Sequence, residues 1–254
     1  MKLLTFVRLL SKKLFSAREG DYASFVLAQK FASFWCSKAI LGEYGKIWIE
    51  DGPFFDYYRT FEPVNLASAE RKFFLRSLLS LVESLPGDTA ECGAYQGAAS
   101  WLICDKFKGT NKTHFIFDSF EGLPTPSSVD GEYWSEGDFR SSEELLKTRF
   151  SAFPKLKVYK GWIPDSFSDI VGRSFCFVHI DVDLYQPTLN AIDFFYPRMV
   201  EGGIILSDDY GFATCPGARR AFDEYMKEMP EKIIHVPTGQ AFIIKGGKPQ
   251  DGTG

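Results

Sequence analysis

Two apolar runs in this chain end in acids. Asp181 and Asp183 interrupt FCFVHIDVDLYQPT (175–188), and Asp208 and Asp209 close GGIILSDDYG (202–211). Carboxylates at the ends of buried strands can do two kinds of chemistry. They can supply hard oxygen ligands to a divalent cation such as Mg²⁺, or one of them can take a proton from a reacting group. Neighbouring strand residues face opposite ways, so Asp208 and Asp209 serve one ion only where the strand has already turned. Asp183 reads alternatively as a cap for a helix starting near Pro187. His179 lies two residues before Asp181 and shares its side of the strand. It reads as a hydrogen-bonded sheet histidine, with general base the alternative. His114 and His235 read as structural.

A second constellation lies upstream. ECGAYQGAAS (91–100) puts Glu91, Gly93 and Gly97 across a strand-to-helix turn. Glycines there allow a ligand close to the backbone, and the following helix presents unpaired N–H groups. The stretch lacks both the dinucleotide Gly-x-Gly-x-x-Gly pattern and the phosphate-loop lysine. The next apolar run ends FDSFEGLP (117–124), where Asp118 is placed to accept hydrogen bonds from both hydroxyls of a ribose. A ribose without a phosphate, on a glycine turn opened by an acid, points to S-adenosylmethionine.

These residues need strands whose ends converge. From Asp88 onward, short apolar runs at 89–93, 113–118, 156–160, 175–181 and 202–209 alternate with helical patterns near 96–107, 141–151, 187–198 and 216–228. That alternation predicts a mostly parallel sheet covered on both faces, a three-layer α/β sandwich. KIIHVP and QAFIIK, joined by a short turn, predict an antiparallel hairpin that brings the sheet to seven strands. In such sheets the ligand lies beyond the carboxyl ends of the strands, which is where Glu91, Asp118, Asp181 and Asp208 fall. Ahead of the sheet, residues 21–40 and 65–85 carry helical spacing, the latter with Asn65 or Ser68 as cap. The aromatic stretch between them (42–63) reads as a surface loop or a lid. The predicted organisation is an N-terminal helical extension with lid over 1–64, the α/β domain over 65–246 and a tail over 247–254.

The totals exclude several classes. With 29 basic and 33 acidic residues the net charge is −4, which gives no electrostatic footprint for nucleic acid. Five dispersed cysteines form neither a disulfide framework nor a zinc motif and suit a reducing cytoplasm. No stretch reaches the ~20 apolar residues of a membrane span. Residues 2–15 form a basic amphipathic pattern, read as a helix packed on the domain or on a second subunit of a homo-oligomer, with weak membrane-surface contact the alternative.

Taken in order, ECGAYQGAAS, FDSFEGLP, HIDVDLYQPT, GGIILSDDYG with CPGARRAFDEY, and PTGQAFIIK make the chain resemble the macrocin O-methyltransferase (TylF-type) family over roughly residues 65–245. The resemblance implies a class I, Rossmann-like methyltransferase fold and Mg²⁺-dependent methyl transfer from S-adenosylmethionine to a hydroxyl, typically on a deoxysugar of a natural product or glycan. It implies a cofactor site of Glu91, Gly93, Ala94, Tyr95, Gly97, Asp118, Ser119 and Asp181, with Trp162 in GWIPDSF near the adenine. It implies Asp181, Asp208 and Asp209 as metal ligands. Asp181 is then the first choice for proton acceptor and His179 the second. A catechol-like phenol as acceptor and a non-catalytic cofactor-binding module are the rival readings.

Overall fold

The structure, a computed structural model, describes residues 20–37, 42, 45–61 and 68–246. The predicted amphipathic segment 2–15, Asn65 and the tail lie outside the described residues. The chain divides into two compact units, Met1–Phe55 and Asp56–Gly254.

In the first unit, helix α1 (Gly20–Trp35) buries Ala23 and leaves Phe31, Phe34 and Trp35 exposed. A 3-10 turn at Ile47–Glu50 leads into helix α2 (Gly52–Tyr58), which crosses the boundary between the units. The loop expected over 42–63 is therefore partly helical, and Phe54 and Tyr58 are fully buried. Its start is chemically specified: the Asp51 carboxylate accepts the Phe54 N–H at 2.9 Å, with Pro53 inside the first turn.

The second unit opens on helix α3 (Ala69–Leu79). Ser68 takes the cap position, but its hydroxyl pairs with Tyr58 at 2.8 Å rather than with the helix. The sheet then builds up through β1 (Asp88–Cys92), α4 (Ala98–Lys106), β2 (His114–Asp118), α5 (Glu143–Arg149), β3 (Leu156–Lys160), β4 (Phe175–Ile180), α6 (Tyr185–Phe195), β5 (Met199–Ser207), α7 (Pro216–Met226), β6 (Ile234–His235) and β7 (Ala241–Ile244). Strand order is β3-β2-β1-β4-β5-β7-β6, parallel through β5 and antiparallel for the last two pairs. The seven strands and the terminal hairpin match the sequence expectation.

Covering on both faces follows from the strand alternation. Phe115 and Phe117 join a core with Ile192 and Phe195 of α6 and Phe222 of α7. Ile116, between them, joins a separate core with Cys104 of α4, Leu146 and Phe150. Successive residues of β2 thus face different helical layers. The abundance of phenylalanine has a plain use: Phe117, Phe167, Phe175 and Phe195 pack mostly edge-to-face with ring centroids 4.9–5.1 Å apart.

The direction of chain progression reverses between β1 and β4, which opens a crevice at their carboxyl ends. Gly93 lies where the two strands exit together. Its φ is +79°, and a Cβ there would collide with the Asp181 carbonyl oxygen. Only glycine lets the β1 turn pass this close to β4. Gly93→Ala is expected to lower the melting temperature by about 5 °C or more in a thermal melt.

Candidate active site

The register of the sheet sets a line of buried polar groups beneath the crevice. Glu91 on β1 sits opposite His179 on β4, and Glu91 Oε1 is 2.8 Å from His179 Nδ1. On the other side of the ring, His179 Nε2 is 3.1 Å from Asp208 Oδ1, which also accepts from Gln240 Nε2 at 2.7 Å. Ser100 donates to Glu91, and the Ser100 hydroxyl also contacts His114 Nε2 at 2.9 Å. His179 is fully buried. Burial alone would lower its pKa, but the hydrogen bonds and charges of Asp208 and Glu91 outweigh it and push it up to about 9. It is therefore an imidazolium bridging two carboxylates. Burial alone would raise Glu91, yet the His179 hydrogen bond and charge hold it below its ordinary value.

Helix α3 reaches the same acids from above. Arg71 forms an ion pair with Asp208 Oδ2, and the Lys72 ammonium stands 3.5 Å from Asp181 Oδ2. Burial works against charge on Asp208, but Lys72, then Arg71 and His179, keep it well below the usual carboxylate range. The other acids go the opposite way. Burial followed by the charge of Asp208 raises Asp181, and burial followed by Asp183 and Asp181 raises Asp209 well above normal. Burial followed by Asp181 pushes Asp183 up to about 7.

The three expected metal ligands are divided. Asp181 and Asp208 lie with His179, whereas Asp209 lies with Asp183 and Cys215; within each set one ligand atom per residue comes within 4.8 Å of the others. Asp209 Oδ2 accepts the Asp183 N–H at 2.9 Å. The five acids Glu91, Asp181, Asp183, Asp208 and Asp209 gather near the three cations Arg71, Lys72 and His179, and burial with mutual crowding makes Asp181, Asp183 and Asp209 hold protons more tightly. A hard divalent cation fits the oxygen donors and would relieve that crowding; Asp181 and Asp209 would hold it, while both oxygens of Asp208 are engaged by His179, Gln240 and Arg71.

Glu91, Asp181, Asp183 and Asp209 border a cavity of about 790 Å³, which is within the range of small-molecule sites. Glu91, Gly93, Ala94, Tyr95, Asp118, Ser119, Trp162, Asp181 and Asp209 all line it. Asp118 accepts from the backbone N–H groups of Ala94, Tyr95 and Phe120 at 2.7–3.0 Å, which shapes the glycine turn around its carboxylate. The Ser119 hydroxyl is engaged in its own turn, donating to Gly122 O at 3.0 Å. Three predicted residues are not in the lining: His179 and Asp208 lie beneath it, and Gly97 serves packing, since the Phe150 ring fills its Cβ direction.

A sequence model described as macrocin-O-methyltransferase (TylF) matches residues 74–243, spanning the glycine turn, both acid pairs and the closing hairpin. The chain belongs to the TylF family. Among curated relatives, demethyldecarbamoylnovobiocin O-methyltransferase of Streptomyces niveus is 28% identical over 160 residues, covering 56% of this chain and 59% of that protein. Mycinamicin III 3''-O-methyltransferase of Micromonospora griseorubida is 25% identical over 175 residues, covering 62% and 68%. The chain thus spans about three fifths of the length of the first of these relatives. Among solved structures, the calicheamicin methyltransferase CalS11 superposes with a TM-score of 0.62 at 17% identity, covering 96% of this chain and 92% of that one. The O-methyltransferase NovP superposes with a TM-score of 0.57 at 23% identity, covering 70% and 80%. These structures show that the TylF chain has the class I methyltransferase fold.

The sequence reading of this TylF site missed several participants. Asp130 caps α6, accepting the Tyr185 N–H at 2.6 Å, which sets aside the alternative reading of Asp183 as that cap. Asp183 instead has φ +58° and lines the cavity, accepting from Cys215 Sγ at 3.5 Å. Arg71 and Lys72 are hidden in an amphipathic helix pattern where cations read as solvent-facing.

The bridge makes stability depend on pH. His179 binds its proton more tightly in the folded state, at about 9 against an ordinary 6.5, so its contribution of about 3 kcal/mol is complete below 6.5 and lost as pH rises through 9. Burial lowers His114 to about 4, so its contribution is complete above 6.5 and lost as pH falls through 4. Asp183, raised to about 7, and Asp181 and Asp209, raised in the same direction, contribute stability that is complete below about 4 and lost as pH rises, so melting of metal-free protein in chelator should be highest on the acid side of pH 6.5 and fall toward pH 9. His179→Gln should flatten the alkaline limb and lower the melting temperature at neutral pH by about 10 °C.

Proposed function

We propose that this protein transfers a methyl group from S-adenosylmethionine to a hydroxyl of a sugar carried by a natural product or glycan, with Mg²⁺ assisting. The observation that carries the reading is a single cavity bordered at once by the glycine turn, by Asp118 and by the Asp181, Asp183 and Asp209 carboxylates. Relatives named as O-methyltransferases of novobiocin and mycinamicin precursors support it, as does one named for a rhamnosyl-tetracenomycin 4'-hydroxyl, from Streptomyces olivaceus. A reducing cytoplasmic setting fits the five cysteines, all free thiols.

When bound, the donor supplies an electrophilic methyl group and the divalent cation makes a hydroxyl more acidic. The chain supplies the rest. Gly93 and Ala94 bring backbone against the donor, and Asp118 offers its remaining lone pairs to the ribose. Asp181 and Asp209 hold oxygen ligands toward the cation, and Asp208 supports them from below through His179. Both His179 nitrogens are engaged by carboxylates, which suits a positioning residue better than a base. Asp183 faces the cavity and, among the described residues, has only the Cys215 thiol on its carboxylate, so it joins Asp181 as the group that accepts the hydroxyl proton on a carboxylate oxygen. Holding acceptor and donor in line supplies much of the remaining rate.

The primary test is calorimetric titration of S-adenosylhomocysteine, followed by methylation of a sugar panel with Mg²⁺ or with excess chelator. Absence of binding in both conditions would defeat the reading. Asp118→Ala should weaken S-adenosylhomocysteine at least about tenfold. Asp183→Asn should leave that affinity intact while kcat falls about a hundredfold or more; near-native turnover would remove Asp183 from the chemistry.

A further inference from the structure

Residues 123–138 form a closed loop over one side of the cavity. Its stem is a pair of backbone hydrogen bonds, Leu123 N–H to Asp138 O at 2.8 Å and Gly137 N–H to Leu123 O at 2.9 Å. Compact loops whose ends meet in this way are commonly functional. The loop is also fastened in its middle. Asp130 Oδ1 holds the Tyr185 N–H of α6, and a Cβ on Gly217 would strike that same oxygen, so the first turns of α6 and α7 both abut Asp130.

This anchoring presents a row of aromatic rings. The indole N–H of Trp134 points to Cys215 Sγ at 3.5 Å, and Cys215 in turn contacts Asp183 at 3.5 Å, so the row begins beside the candidate reacting acids. From Trp134 the next ring is Phe139, with centroids 5.0 Å apart, and then Tyr95, a further 5.8 Å away in an edge-to-face contact. All three line the cavity, and Phe139 and Tyr95 keep 46% and 41% of their surface exposed. Both also have left-handed backbone, φ +62° and +50°, a conformation that bulky side chains rarely adopt and that gathers at functional sites. Two large exposed rings are thus kept where glycine or asparagine would sit more easily.

We propose that the Trp134–Phe139–Tyr95 row binds a flat apolar group attached to the ring that is methylated, so that the acceptor is a glycoside of an aromatic or similarly planar aglycone rather than a free or simple sugar. The inference rests on the acceptor reading above. A bare sugar needs hydrogen bonds around its edge. The row offers little: Phe139 has no polar atom, the indole N–H already points to Cys215, and the Tyr95 hydroxyl is its one remaining hydrogen-bonding group. Polar groups able to address sugar hydroxyls lie elsewhere on the wall, at Gln186, Asn190 and Thr214. Aromatic faces and edges are instead suited to another π-surface.

The test uses binding without turnover. S-adenosylhomocysteine is titrated first with Mg²⁺ present, and then p-nitrophenyl and methyl glycosides of the same 6-deoxyhexose are each titrated into the complex. Wild-type protein should bind the p-nitrophenyl glycoside about tenfold more tightly. Phe139→Ala and Trp134→Ala should abolish that preference with S-adenosylhomocysteine affinity unchanged, and Trp134→Phe should largely keep it. Equal affinity for the two glycosides in wild type, or a preference that survives both alanine variants, overturns the proposal. Parallel loss of S-adenosylhomocysteine binding in folded alanine variants also overturns it, because the row would then cover the donor. Failure of wild type to bind S-adenosylhomocysteine at all defeats the methyltransferase reading itself.

Discussion

The imidazolium of His179, held between Glu91 and Asp208, ties the two halves of the site together. Glu91 belongs to the strand that delivers the glycine turn, and Asp208 ends the strand that delivers the second acid pair. Three charges in a fully buried setting are expensive unless each satisfies the others, and removing one partner leaves an uncompensated charge in the core. The alternation of acid, base and acid across β1, β4 and β5 therefore fixes more than side-chain orientation. It locks the lateral register of three central strands at their functional ends.

The same electrostatic logic explains the site's unequal acids. Asp208 stays charged because His179, Arg71 and Lys72 surround it, while Asp181, Asp183 and Asp209 crowd one another and hold protons more tightly. Pairs of like groups pushed apart in this way divide their roles, one serving as a fixed charge and another as a proton carrier. The cations of α3 and β4 converge on Asp208, so the acids that line the cavity keep their mutual repulsion.

Much of the layout was legible in the sequence because strand ends are marked by the switch from apolar runs to acids. The runs ending at Asp118, Asp181 and Asp208, and the hairpin closing at Ile244, all sit where periodicity put them. The pairing of Glu91 with His179 was not legible, since it depends on strand order and on register, neither of which a single strand encodes. Asp130 was missed because a capping residue is sought just ahead of its helix, and this one arrives from a loop 55 positions away. Helix α2 was missed for a different reason. Its Asp51-Gly-Pro start was a readable signal, but the density of tyrosine and phenylalanine beyond it drew attention to a lid.

The fastening of the 123–138 loop has a consequence for diversification. Its stem is made of main-chain hydrogen bonds that call for glycine at two places: a Cβ on Gly122 would strike the Asp138 and Gly137 carbonyl oxygens, and Gly137 has φ +84°. Asp130 and Gly217, in contrast, form a side-chain lock shared with two helices. The Thr125 hydroxyl also reaches across the loop to the Glu136 carboxylate, so the segments on either side of that lock vary together. The loop behaves as an exchangeable cartridge with one keyed pin, letting recognition change while the buried charges beneath it stay fixed.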